Sequence, residues 1–313
     1  MISEIRAQAG TAYRPLIILN PGANRGRTSS LAATIRGILQ DLGSDAEVAA
    51  TWDVADGRRA VQAAAQDGRR PIVACGGDGT IHATASSLLD IGAPVPLGIV
   101  AAGSGNDYAG PTLHLPRDLR AALEVALYGR PQAMDVARLN DGWLINSFGT
   151  GIDANVAWDV RDMVESGRTR VRGQALYTVS AIKQILRYYH RLPALAITVD
   201  GRHWGTRRML LAAVMIGPTA GGGYRLTPQA DPRDGRLDIL LARRMPQAKA
   251  FLALPLAKTG YHTWLREVQI VRGREVTIES AELVHAHADG ELVSARTFAI
   301  HIVPGGLTVM VPR

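Results

Sequence analysis

The sequence predicts an N-terminal α/β domain with a doubly wound parallel sheet, followed by a mostly antiparallel β-sandwich. From Pro15 to about Val136, apolar runs of strand length alternate with helical patterns, which is typical of a parallel sheet covered by helices on both faces. After about Ala137, short strands dominate and are separated by turn dipeptides such as Asp141-Gly142 and Asp200-Gly201. A chain of 313 residues is long enough for two separate cores.

The elements of the first domain are predicted from apolar runs and from helix start and stop signals. Thr28 or Ser29 caps the first helix, and Gly129 with Pro131 ends the last one. The predicted strands are 16–19, 47–51, 71–75, 97–100 and 134–139, and the predicted helices are 29–42, 55–67, 80–91 and 118–128.

The second domain is predicted to contain short strands and few helices. One long helix, 174–191, stops before Pro193, and a second helical patch covers 247–264. The predicted strands are 195–199, 207–216, 237–241, 276–279, 283–288, 298–303 and 307–311.

Three polar loops follow predicted strands of the first domain, and all three suit a phosphate group. They are Asn20–Arg27, Gly76–Thr80 and Gly103–Asp107. Glycine lets backbone N–H groups approach phosphate oxygens that a Cβ would obstruct. Because an aspartate would repel phosphate, Asp78 is interpreted as a Mg²⁺ ligand, direct or through water, or as a proton acceptor. The loops fit neither the dinucleotide fingerprint nor the Walker pattern, and together they indicate phosphoryl transfer.

The chain resembles the diacylglycerol kinase catalytic family, which includes bacterial lipid kinases and sphingosine kinases. The resemblance rests on motifs spread over nearly the whole chain, in order: Asn20-Pro21-Gly22 to Arg27, Gly76-Gly77-Asp78-Gly79-Thr80, Pro96–Ile99 into Gly103-Ser104-Gly105-Asn106-Asp107-Tyr108-Ala109, Asn146–Ala154, Gly221-Gly222-Gly223 with Pro228, Asp234–Asp238, and Asp289-Gly290-Glu291. It implies a phosphofructokinase- or NAD-kinase-like first domain over 1–136, a lipid-substrate domain over 137–295, and C-terminal strands, 296–313, that return to the first domain.

The resemblance also implies that the first domain binds ATP together with Mg²⁺. The positions that match ATP-binding positions of the family are Asn20, Pro21, Gly22, Ala23, Asn24, Thr51, Gly76, Gly77, Asp78, Gly79, Thr80, Gly103, Ser104 and Asn106. Two departures stand out. Ser104 replaces the usual threonine and keeps its hydroxyl, whereas His82-Ala83 replaces a common Asn-Glu pair, which affects the expected contacts near the phosphate acceptor.

The carboxylates of the second domain have more than one interpretation. By sequence alone, Asp289 in Asp289-Gly290 is favoured as part of a type I′ hairpin turn. The resemblance instead implies that Asp289 is the proton acceptor near the interdomain cleft. Glu291, two residues further on, points to the same face of an extended chain and is expected to assist with metal or nucleotide. Asp78 of the first domain is the competing candidate for the proton acceptor. The resemblance further implies a structural Mg²⁺ at Asp234, with Asp231 and Arg236 beside it, although a simple surface turn fits that segment equally well.

Composition limits the partners and the compartment. The single cysteine, Cys75, is interpreted as a small buried apolar residue and suits a reducing cytoplasm. The net charge of +7 favours an anionic membrane, and the 5% aromatic content gives no basic-aromatic pattern for nucleic acid. We expect a peripheral protein at the inner membrane surface that serves lipid metabolism and phospholipid synthesis. The sequence does not distinguish a monomer from a homodimer.

The acyl chains of a lipid substrate need an apolar slot, and the segment 251–264 is expected to border it. The basic residues of that segment and of the long helix, which include Arg168, Arg170, Arg172, Lys183 and Arg187, are more typical of a solvated helix face than of a membrane contact. His285 and His287 are expected to line the core or the cleft. The function expected overall is an ATP-dependent lipid kinase that acts by direct in-line transfer, with diacylglycerol or a related alcohol as acceptor. The alternatives are a NAD kinase-like enzyme and a catalytically silent lipid- or nucleotide-binding protein of the same fold.

Overall fold

A computed structural model describes residues 14–20, 28–103, 105–167 and 174–313. The chain forms two compact units. The first comprises the described residues up to Met134 together with Gly305–Arg313, and the second comprises Asp135–Pro304. The boundaries expected from sequence lay after residues 136 and 295.

The first unit is a parallel α/β sheet. Its strands β1 to β4 are Leu16–Leu19, Glu47–Ala50, Ile72–Gly76 and Leu97–Ala101, its helices α1 to α4 are Thr28–Asp41, Val54–Gln66, Asp78–Asp90 and Leu119–Tyr128, and a single π-helical turn covers Tyr108–Thr112. The strands lie in the order β4-β3-β1-β2, with every pair parallel. Ile17, Val73 and Val100 from three of these strands pack in one core with residues of α1 and α4. Strands β1, β3 and β4 are buried on both faces over most of their length, which explains why their sequences are continuous apolar runs.

The second unit is β-rich. Its strands are β5 (Arg130–Leu139, from Asp135 onward), β6 (Gly142–Leu144), β7 (Ser147–Gly151), β8 (Ala194–Val199), β9 (Arg202–Met215), β10 (Leu237–Arg243), β11 (Val268–Gly273), β12 (Glu275–Ala288) and β13 (Glu291–Val311, up to Pro304). Six of them lie in the order β11-β10-β9-β7-β12-β13, β8 pairs with β9 and β12, and β5 pairs with β6. The described pairs within this unit are antiparallel, as the sequence predicts.

Three helices cover one face of this unit: α5 (Ile152–Glu165), α6 (Gln174–Tyr188) and α7 (Gln247–Thr259). Successive side chains of a strand point to opposite faces, and β9 shows this directly. Val214 lies in the core between the strands, whereas Ala213 and Met215 lie in the core beneath the helices. The helices therefore enclose a second apolar core on the outer side of the sheet.

Helix α5 is not predicted from the sequence. Only the long helix and the 247–264 patch were predicted in this region, because valine and isoleucine in 152–165 favour strands. The same residues have helical spacing, since Ile152, Val156 and Val160 recur every fourth residue and are buried on one face. The short strands β6, β7 and β11 were also missed. Predicted strands 276–279 and 283–288 form one strand, β12, with a register shift between Glu279 and Val284.

Candidate active site

Two glycine loops of the first unit lie in direct backbone contact. The first follows β3 and the second follows β4, and neighbouring parallel strands end at the same sheet edge. A Cβ on Gly103 would lie 2.5 Å from the Cα of Gly77. The N–H of Ala102 donates to the carbonyl of Gly76 at 2.8 Å. Glycine is therefore required at 103 because the two backbones approach each other more closely than a side chain permits.

Asn106 and Asp78 hold the second loop against the first. The N–H of Asn106 donates to Oδ2 of Asp78 at 2.9 Å, and its side chain both accepts from the N–H of Gly103 and donates to the carbonyl of that residue. Asn106 has φ of 55°, a left-handed conformation that asparagine tolerates better than most residues. The sequence prediction joined these two loops, and the structure brings them together.

Helix α3 begins inside the first loop. Gly77 is its N-cap residue and makes no side-chain cap hydrogen bond, and Asp78 lies in the first turn. The N-terminal N–H groups of a helix and its dipole favour a bound anion. His82, which stands at a departure from the family pattern, lies one turn further on with Nε2 3.4 Å from Oγ of Ser86.

The other expected ATP-binding residues divide into two groups. Asn20 directly follows β1, and Thr51 is buried after β2 with its N–H donating to the carbonyl of Leu19 at 2.9 Å. Pro21, Gly22, Ala23, Asn24 and Ser104 lie outside the described residues. Cys75 is fully buried, as expected, and burial raises the pKa of its thiol to about 12.

In the second unit, Asp289 does build the hairpin turn that the sequence favoured. Asp289 and Gly290 have φ of 50° and 90°, and Ala288 pairs with Glu291 across this two-residue turn. Its carboxylate accepts three backbone hydrogen bonds, from the N–H groups of Ile145 (2.7 Å), Asn146 (2.8 Å) and Ser147 (2.8 Å). Asp289 thus fastens the β12–β13 turn to the chain that enters β7. Glu291 is exposed beside it.

An apolar cavity of about 120 Å³ lies beneath the three helices of the second unit. Its walls come from α5, α6, α7, β9 and β10, and it includes Leu254, which lies in the segment that was expected to border an apolar slot. A cavity with such walls stays dry and takes up apolar groups. His262 also lines it with Nε2 3.1 Å from the carbonyl of Leu226, and burial lowers the pKa of this histidine.

Asp153 is the one carboxylate among the residues that line this cavity. Its Oδ2 lies 2.7 Å from Nε2 of the buried His287. Gly149 lies beneath the pair, and a Cβ there would be 2.7 Å from the same imidazole nitrogen. The sequence prediction quoted Asp153 only as part of a motif and gave His287 no partner, because their pairing brings together residues 134 positions apart.

At the expected structural metal site, the carboxylate of Asp234 is bound by an arginine side chain. Oδ1 of Asp234 accepts the N–H of Arg236, and Oδ2 forms an ion pair with Arg272, whose Nε is also 3.4 Å from the buried Asp238. Asp231 pairs with Arg233. The carboxylate of Asp234 fits a guanidinium in this arrangement, so we assign no chemistry to a metal there. No cluster of three or more His, Cys, Asp or Glu side chains suited to a metal occurs among the described residues.

A model of the diacylglycerol kinase catalytic domain matches residues 14–139, and a model of the YegS C-terminal NAD kinase beta sandwich-like domain matches residues 146–311. The chain belongs to the diacylglycerol kinase family. It is accordingly a transferase, a lipid kinase, and family membership implies ATP as its phosphoryl donor. No helix among the described residues is both long and apolar enough to cross a membrane.

Relatives identified by sequence agree with this family, and solved structures share its fold. The "Probable lipid kinase YegS-like" protein of Klebsiella pneumoniae (strain 342) is 29% identical, with 95% of each chain covered. A protein named diacylglycerol kinase from Mycobacterium tuberculosis is 27% identical, with 95% of this chain and 94% of the relative covered. A crystal structure of a diacylglycerol kinase from Bacillus anthracis has a TM-score of 0.70 at 18% identity, over 95% of this chain and 96% of that chain. Yeast NADH kinase has a TM-score of 0.50 at 13% identity, over 96% of this chain and 84% of that chain. At these identities both structures show the fold alone.

Proposed function

We propose that this lipid kinase transfers the γ-phosphoryl group of ATP directly, in line, to the hydroxyl of diacylglycerol or a related lipid alcohol. The observation that carries the choice of a lipid alcohol is the apolar cavity with a single carboxylate in its lining. An apolar cavity suits acyl chains, and a carboxylate accepts a hydrogen bond from a hydroxyl. A carboxylate also disfavours an anionic head group, so it supports an uncharged lipid over a phosphorylated one.

The first unit is proposed to bind the nucleotide. The contact between Gly77 and Gly103 keeps two glycine loops together, and α3 directs its N-terminal N–H groups into the same region. These groups bind phosphate oxygens and position the γ-phosphate. The carboxylate of Asp78 is the group proposed to hold Mg²⁺, directly or through water, and such oxygens are the ligands that Mg²⁺ prefers. Bound Mg²⁺ supplies neutralisation of the phosphate charge.

Asp153 and His287 are proposed to position the polar end of the lipid. The hydrogen bond from His287 holds one oxygen of Asp153, and among the described residues this imidazole is the hydrogen-bond partner of that carboxylate. Its other oxygen is therefore available for a lipid hydroxyl at the cavity. Removing the carboxylate in Asp153→Asn is expected to raise the KM for the lipid and to leave the KM for ATP unchanged.

Two carboxylates remain proposed as the proton acceptor, Asp289 and Asp78. Three backbone N–H groups donate to the carboxylate of Asp289, and this gives it a structural role beside any catalytic one. Phosphoryl transfer passes through a loose transition state that makes small demands on a base. Comparing Asp289→Asn with Asp78→Asn, each scored for ATP binding and for turnover, separates a residue that holds nucleotide from one that acts on the hydroxyl.

The proposed setting is the inner membrane surface, where the lipid substrate resides and where phospholipid synthesis uses the product. The net charge of +7 supports attraction to an anionic bilayer. Binding to nucleic acid is not proposed, because the sequence has no basic-aromatic pattern for it.

A direct assay tests the proposed reaction. The purified chain is incubated with γ-labelled ATP, Mg²⁺ and a panel of acceptors: a short-chain diacylglycerol, ceramide, sphingosine and NAD. Label in a lipid alcohol supports the proposal, with Asp78→Asn as the inactive control. Label in NAD supports the NAD kinase-like alternative, and label in none of them supports a silent binding protein.

A further inference from the structure

Helix α6 has an exposed apolar stripe on the side away from the cavity. Val179, Ile182 and Leu186 are 49%, 40% and 62% exposed. Their spacing of three and four residues places them within about 60° of the helix circumference. Scattered exposed apolar residues are common on proteins, whereas an aligned row of them on one helix marks a contact surface. We define these three residues as the α6 stripe.

The opposite side of the same helix faces the cavity. Tyr177, Ala181 and Ile185 line the cavity, so α6 has apolar side chains on both its inner and its outer face. An apolar outer face on a helix favours contact with a second apolar environment. This places the stripe about one helix diameter, roughly 10 Å, from the proposed lipid cavity.

The charges on α6 and its neighbour α7 are all positive. Their sequences contain no aspartate or glutamate and contain Lys183, Arg187, Lys249 and Lys258. Lys183 and Lys249 pair with Asp159 and Glu267. Arg187, next to Leu186, forms no ion pair within the part of the chain that the structure describes. An apolar row flanked by cations is the pattern of a helix that lies in the interface of an anionic bilayer.

We propose that the α6 stripe docks the protein on the surface of an anionic bilayer, beside the lipid cavity. This deepens the proposed function, on which it rests, by identifying the membrane-facing element. A second copy of the chain is the other candidate occupant. Two copies that met through this surface would bring two Arg187 side chains together, and their like charges would repel, whereas anionic lipid neutralises them.

Vesicle sedimentation without ATP or substrate tests the docking. The full chain is mixed with vesicles of phosphatidylcholine alone or with about 30% phosphatidylglycerol, a typical anionic mixture. Wild type is expected to sediment with the anionic vesicles. Ile182→Glu/Leu186→Glu is expected to reduce binding by about tenfold or more, since it places two negative charges in the interface, and Arg187→Gln is expected to reduce it less.

The matched control is Leu283→Glu, because Leu283 is an equally exposed leucine, at 61%, on another part of the same unit. It is expected to bind vesicles as wild type does. Unfolding temperatures that agree among the variants exclude loss of fold as the cause. Equal vesicle binding by wild type and the double variant, or no binding by wild type, overturns the proposal. A change of oligomeric state in the double variant without loss of vesicle binding assigns the stripe to a second copy and also overturns it.

The same variants are assayed on a short-chain diacylglycerol dissolved without vesicles. The double variant is expected to keep wild-type turnover there, because this substrate needs no membrane. If wild type phosphorylates no soluble lipid but still binds vesicles through the stripe, the proposed function fails and the docking stands. If turnover is normal and the stripe is not needed for binding, only the docking fails.

Discussion

At the scale of single residues, this protein depends on a few positions where close contacts set the residue type. Gly103 is the clearest, because its backbone lies against that of Gly77. Asp289 is another, because one carboxylate joins a hairpin turn to the start of β7. Both residues belong to recognisable sequence motifs, but only the folded chain shows which neighbours make them necessary.

Gly103→Ala is expected to weaken ATP binding about ten- to hundredfold. The added Cβ pushes the two glycine loops apart, and overpacking of this kind costs about 1–3 kcal/mol. Titration of ATP into wild type and variant measures the change. Gly110→Ala is the control, since a Cβ there has no heavy atom within 4 Å. Equal ATP affinity of the Gly103 variant and wild type would show that the loops do not bind the nucleotide.

Asp289→Asn is expected to lower the free energy of unfolding by about 1–3 kcal/mol. The reason is that an amide nitrogen cannot accept a hydrogen bond from a backbone N–H group, whereas both carboxylate oxygens do so. Urea denaturation measures this loss. A loss of turnover in this variant is attributed to chemistry only if ATP binding and fold are retained. An unfolding curve that coincides with that of wild type would contradict the anchoring role of the carboxylate.

At the scale of elements, helices α5, α6 and α7 form a large part of the lining of the apolar cavity of the second unit. They cover one face of the β-sheet and leave an apolar cavity between helix and strand. The segment around α7 was predicted to border an apolar slot, and part of it does so. The contributions of α5 and of Asp153 were not predicted, because strand-favouring residues obscured the helical period in 152–165.

The buried His262 makes this region sensitive to acid. Burial lowers its pKa below the ordinary value of 6.5, so the folded protein binds a proton less readily than the unfolded chain. The neutral form of His262 contributes to the free energy of unfolding. This contribution is fully present above pH 6.5 and is lost as the pH falls below that value. Wild type is therefore expected to lose thermal stability between about pH 6.5 and 5 more steeply than His262→Phe. Parallel melting-temperature curves for the two proteins would refute this.

At the scale of the whole molecule, the second unit is one continuous stretch of sequence, whereas the first unit is built from two separate stretches. Residues 305–313 follow the second unit in the sequence, yet they belong to the first unit, and Val309 pairs in parallel with Leu97 of β4. Leu307, Val309 and Val311 are buried there. The first unit therefore includes a strand segment that is separated in sequence from its other strands by the whole of the second unit.

Val309→Ala is expected to destabilise the first unit by about 2 kcal/mol, because it leaves a cavity beside β4. The expected signs are a lower urea midpoint and weaker ATP binding, although Val309 is far along the chain from the glycine loops. Val164→Ala, at an exposed position of α5, is the control and is expected to change neither quantity. A Val309 variant as stable as wild type would show that the C-terminal strand adds little to this unit.

The sequence by itself determined the alternating α/β pattern of the first half, the antiparallel character of the second and the glycine loops. These features depend on local apolar periodicity and on turn residues that lie next to each other in the chain. Only the tertiary structure decided that Gly103 touches Gly77, that Asp153 pairs with His287, that Arg272 binds Asp234, and that α6 is apolar on both faces. The three contacts join residues that are distant in sequence, and the last feature depends on which face of the helix other elements cover. Local spacing in the sequence encodes neither long-range contacts nor the covering of a helix face.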